Sequence, residues 1–80
     1  MPPRESVDPR LAAALRRLRE EHGLSQEAVA HRAGITTNAY SRIELGQANP
    51  TWTTVLRIAG ALEMTIAQLA LRAEDEERSR

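Results

Sequence analysis

QEAVAHRAGITTNAYSRIEL, residues 26–45, decides the fold. Gly34 divides it, because a glycine can take the left-handed conformation that closes a helix without a side-chain clash. Immediately after it, Ile35, the hydroxyl of Thr36 and Tyr40 have the spacing of a hydrophobic staple around an N-cap, so a second helix starts there and runs to about Leu45. The same device precedes the stretch: Leu24, Ser25 and Val29 open a helix that runs to about Ala33. Two short helices with a very short turn between them are therefore expected over about twenty residues.

Toward the N-terminus, Asp8 and Pro9 read as an N-cap followed by proline at the first helical position. Leu11, Ala14, Leu15 and Leu18 then fall at i, i+3, i+4 and i+7, an amphipathic helix that should stop near His22 because Gly23 follows. Toward the C-terminus, Pro50-Thr51 caps a fourth helix with Trp52, Val55, Leu56, Ala59 and Leu62 expected on one inward stripe. Thr65 with Gln68 forms a capping box for a fifth helix, with Met64 and Leu69 as its staple. Two residues run against the pattern. Glu63 stands where a glycine would end helix four most cheaply, and Gly60 lies inside that helix, either for a close crossing or as a tolerated small residue. No strand pattern competes, so the expected fold is all-α, with five helices.

Eighty residues support one core, since a chain this short buries only roughly 60% of its unfolded surface. Apolar residues at 41% and charged residues at 28% are globular proportions, and an aliphatic set with one Trp, one Tyr and no Phe favours helix packing. No cysteine is present, which excludes disulfides and thiolate metal sites, and His22 and His31 lack paired ligand spacing. The eleven arginines balance eleven acids, a balance that counts against a general polyanion binder. Setting residues 74–80 aside leaves nine arginines against seven acids, net +2, so the folded part is mildly basic. The expected organisation is a flexible arm over 1–8, a helical domain over 9–73 and a solvated, disordered acidic tail over 74–80. The first ten residues carry no apolar run, so no signal peptide, membrane association or span is expected, and the chain is read as cytoplasmic.

Four pieces in combination carry a resemblance: LREEHGLSQE from Leu18, AGIT from Ala33, YSRIELG from Tyr40 and NPT from Asn49. Their spacing resembles the Cro/CI repressors, also called the XRE family, over residues 11–71. The resemblance implies a lambda-repressor-like domain in which helices two and three form a helix-turn-helix and helix three enters the major groove. With Tyr40 and Ile43 inward, Thr37, Asn38, Ser41, Arg42 and Leu45 fall on the outward face of that helix. Arg42 can fork to guanine, Asn38 can pair with adenine, and Thr36, Thr37 and Ser41 offer hydroxyls or methyls to base edges. The family likeness places Gln26 on the DNA backbone, assisted by Ser25, and Gln47 and Asn49 on a second phosphate. It also matches Arg19 and Glu44 to an ion pair bridging helix one to the end of the recognition helix. Tyr40 and Trp52, at positions usually aliphatic in the family, are both expected in the core, with the tyrosine hydroxyl at its rim.

The resemblance implies a dimeric repressor on a pseudo-palindromic DNA operator, with Ile66, Leu69 and Leu71 as candidate interface residues. A restriction-modification controller and an antitoxin with a toxin partner are alternatives of the same size. A helix-turn-helix that binds protein is the alternative outside DNA recognition. An enzyme is set aside: the sequence carries no nucleophile motif, phosphate-cradling loop or metal constellation, and no cofactor is expected.

Overall fold

The computed structural model describes residues 8–78, and each helix in it begins at a side chain that accepts a backbone hydrogen bond. Asp8 caps α1 (Pro9–Glu21), Ser25 caps α2 (Gln26–Ala33), Thr36 caps α3 (Thr37–Glu44) and Thr51 caps α4 (Trp52–Ala61). At the start of α5 (Ile66–Arg78), Thr65 Oγ1 accepts from the Gln68 amide while Gln68 Oε1 accepts from the Thr65 amide, a reciprocal box. Each cap contributes about 1 kcal/mol by satisfying an amide that the helix leaves open. Among the described residues there is no strand.

The helices close in the way their ends dictate. Gly34 takes φ +73°, turning the chain between α2 and α3. Glu63 takes φ +56° after α4, the one non-glycine residue in the left-handed region among those described. α1 packs on α3 and α5, α2 on α3 and α4, and α4 on α5. Leu15, Leu18, Val29, Tyr40, Ile58, Leu62 and Leu69 are almost wholly enclosed between them. Burying each such side chain is worth about 1.5–3 kcal/mol, which makes this cluster the source of the fold's rigidity.

The structure departs from the sequence reading in the acidic run and on the inward face of α4, and it decides between the two readings of Gly60. The acidic run is ordered: α5 continues to Arg78, Glu76 pairs with Arg17 at 2.9 Å and Glu77 with Arg10 at 3.1 Å. The sequence of the run reads as solvated because its partners lie about sixty residues away in α1. Of the expected arm only Asp8 is described, as the α1 cap, and 1–7 lie outside the described residues. The inward stripe of α4 is Val55, Ile58, Ala59 and Leu62, while Trp52 is 65% exposed and Leu56 also faces outward. Gly60 is exposed, and a Cβ added there would meet nothing within 4 Å, so no close crossing requires it.

Candidate nucleic-acid interface

The exposed face of α3 is polar because its inward residues are taken by the core. Tyr40 and Ile43 are buried, and this leaves Thr37, Asn38 and Arg42 exposed and Ser41 half-buried along one side of the helix. Arg42 forms no ion pair among the described residues, whereas Arg10, Arg16, Arg17, Arg19, Arg72 and Arg78 all do. A guanidinium with no internal partner keeps all its donors for an outside acceptor. Leu45, 64% exposed, continues the same side at the helix end.

Thr36 and Ser25 have structural work. Thr36 Oγ1 accepts from the Ala39 amide and Ser25 Oγ from the Ala28 amide, each at 3.0 Å, so their hydroxyl hydrogens are what remains to donate outward. Gln47 and Asn49 are exposed in the loop that follows α3, where the Gln47 amide donates to the Arg42 carbonyl at 2.8 Å. That bond ties the loop to the last turn of α3, fixing both on one frame.

Arg19 and Glu44 lock α1 to the end of α3. Arg19 Nε donates to Glu44 Oε2 at 2.9 Å and Nη2 to Oε1 at 2.7 Å, while Nη1 donates to the Leu24 carbonyl. One guanidinium thus holds α1, the α1–α2 loop and α3 together by a planar fork that lysine cannot reproduce. Gln26, at the first position of α2, joins the cluster: its Nε2 donates to Glu44 Oε1 at 3.3 Å. Burial pushes the Glu44 carboxyl up, but hydrogen bonds from Arg19 and Gln26 and the nearby Tyr40 hydroxyl outweigh it and hold the group below its ordinary value. Tyr40 is fully enclosed, its hydroxyl included, and that oxygen has no partner at hydrogen-bonding geometry; the rim position expected for it is not where it lies. Burial and the Glu44 carboxylate push the phenol well above its ordinary value.

The sequence reading paired Arg19 with Glu44 and named Gln26 apart from them, and the structure joins all three in one cluster. Of the candidate dimer residues, Leu69 is 1% exposed and belongs to the core, against which Met64 and Ile66 also pack. Leu71 is exposed and Ile66 half-buried. The surface that sequence reasoning missed is Trp52 and Leu56, adjacent on α4 at i and i+4. With seven apolar residues among eleven from 52 to 62, periodicity alone could not choose which face turns inward.

Two short capped helices about a left-handed glycine, with a polar outer face on the second, define a helix-turn-helix domain. A family model described as helix-turn-helix domain matches residues 10–78, and the chain belongs to that family of DNA-binding transcriptional regulators, in its Cro/CI form. A helix-turn-helix-type transcriptional regulator of Sinorhizobium fredii is 37% identical over 59 residues, covering 74% of this chain and 77% of the relative. A second, from Bacillus subtilis, is 33% identical over 64 residues, covering 80% of this chain and 54% of a longer protein. Among solved structures, the restriction-modification controller protein C.AhdI of Aeromonas hydrophila superposes with a TM-score of 0.73 at 33% identity, over 75% of this chain and 91% of that one. The controller C.Esp1396I gives 0.86 at 19% identity over 96% of this chain and 100% of that one, a likeness of fold. Among the described residues no single helix is long and apolar enough to cross a membrane.

Proposed function

We propose that this chain is a cytoplasmic, non-enzymatic repressor that binds a pseudo-palindromic operator as a homodimer. Its recognition helix α3 enters the major groove. Thr36, Thr37, Asn38, Ser41 and Arg42 meet base edges, while Ser25, Gln26, Gln47 and Asn49 hold the flanking phosphates. The observation that carries this reading is the outer face of α3: Thr37, Asn38 and Arg42 are exposed together, and Arg42 has no ion-pair partner among the described residues. A net charge of zero fits a reader whose register comes from placed neutral donors more than from bulk attraction.

Selection of duplexes from a randomised pool, followed by gel shifts across salt, tests it. Two half-sites about one helical turn apart should be enriched. Arg42→Ala should cost about 1–3 kcal/mol and relax preference at one base position. An equal loss on every duplex would remove Arg42 from base reading, and a pool with no enrichment would end the DNA assignment. Restriction-modification control is the second reading, supported by the 33% identity to C.AhdI. It requires genes for a nuclease and a methyltransferase beside this one, and their absence rejects it.

A further inference from the structure

Gln26 occupies an unusual electrostatic position. Its amide lies between the buried Glu44 carboxylate and the solvent side of the α2 N-terminus, half-buried, with Nε2 3.3 Å from Glu44 Oε1. A primary amide carries two N–H donors on one nitrogen and a carbonyl oxygen at its other end. Turning the amide over would set that oxygen against a carboxylate, so the charge on Glu44 decides which end faces it. Arg19 in turn decides where the carboxylate lies, through two bonds of 2.9 and 2.7 Å to its two oxygens. Because Arg19 offsets the charge, an anion can approach the same nitrogen without meeting net repulsion.

We propose that Glu44, fixed by Arg19, is a positioning residue for backbone capture: it holds one N–H of Gln26 so that the other is presented to a DNA phosphate oxygen. The inference rests on the phosphate role proposed above for Gln26 and adds the device that serves it. A free glutamine would have to order its side chain on binding, and here that ordering is done when the domain folds. Arg19 and Glu44 thereby couple α1 and α3 to a contact made by α2, which touches neither DNA strand through those two residues.

A double-mutant cycle on a mixed-sequence duplex at low salt tests this, with Gln26→Ala measured in the wild-type and Glu44→Gln backgrounds. In the wild type, Gln26→Ala should weaken binding about tenfold, the value of a hydrogen bond to a charged group. In Glu44→Gln the same change should cost less than about twofold, because an amide in place of the carboxylate can present either end and no longer fixes which end of Gln26 faces it. Should Glu44→Gln unfold, Arg19→Lys keeps the charge, loses the fork and takes its place in the cycle. A merely structural Glu44 would lower stability and overall affinity yet leave the Gln26→Ala factor unchanged, and that result overturns the proposal. Nitrogen-resolved NMR gives an independent readout: the Gln26 Nε2 proton held by Glu44 should exchange with water more slowly in the wild type than in Glu44→Gln, and the other should move on duplex addition. Exchange equally fast in the two proteins overturns it. If Gln26→Ala leaves duplex affinity intact, the phosphate role itself falls while base reading by α3 stands. If no duplex binds at all, both fall.

Discussion

Tyr40 and Glu63 each carry a local cost that a substitution can measure. The Tyr40 hydroxyl is enclosed with no partner at hydrogen-bonding geometry, so it forfeits its hydrogen bonds to water, and in return it only lies near the Glu44 carboxylate that it helps to keep ionised. The two effects oppose, so Tyr40→Phe should change stability by no more than about 1 kcal/mol at neutral pH. The alkaline range gives a sharper check, because the chain has no lysine or cysteine and Tyr40 is its one tyrosine. The folded protein raises the phenol above its ordinary value, so that contribution is fully present below about pH 10 and is lost as pH climbs through the folded value. Denaturant titrations should show the wild type weakening above about pH 10 and Tyr40→Phe flat over the same range; parallel curves would mean that the phenol ionises freely in the fold. Glu63, at φ +56°, bears a left-handed conformation that costs a residue with a Cβ about 1–2 kcal/mol. Glycine loses more unfolded-chain entropy, which returns part of the gain. Glu63→Gly should then stabilise by about 0.5–1 kcal/mol, a rise of roughly 3–6 °C in melting temperature, and calorimetry showing no rise would place the strain elsewhere.

At the scale of the elements, local chemistry was readable and distant pairing was not. Asp8, Ser25, Thr36, Thr51 and Thr65 were each legible as caps because a cap is decided within four residues, and Gly23 and Gly34 as terminators for the same reason. The outer face of α3 was legible as well, since Tyr40 and Ile43 leave little choice of inward side. The end of α5 was not. Nothing near Glu76 or Glu77 announces a partner, because Arg17 and Arg10 reach them only after α1 and α5 have packed. Glu21 and Arg72 add a third ion pair between the same two helices. Such pairs are partly exposed and worth about 0.2–1 kcal/mol each. Deleting residues 74–80 should accordingly lower stability by about 1 kcal/mol and remove helical signal from circular dichroism. A chain equally stable and equally helical after truncation would show that the acidic run is a solvated tail after all.

The face of α4 that sequence periodicity turned inward lies open on the folded molecule. Trp52 at 65% exposure and Leu56 at 42% lie together on it, and Trp52 borders a groove shared with Leu11, Val55, Ile66 and Ala70. A large exposed tryptophan stabilises the monomer little, since it contributes few enclosed contacts, but it is the residue type most enriched where association energy concentrates. If a second copy covers this face, the sole tryptophan reports it: its emission should shift to the blue as protein concentration rises, and dilution should reverse the shift. Trp52→Ala should then change unfolding stability by no more than about 0.5 kcal/mol while converting the dimer to monomer in sedimentation. The consequence for operator binding follows from linkage. A dimer places two recognition helices on half-sites in one event, whereas two monomers bind independently. Trp52→Ala should therefore bind a single half-site as tightly as the wild type does and lose most of the advantage of the paired site. A variant that still sediments as a dimer would move the interface off α4, to Leu71 on the remaining exposed side of α5.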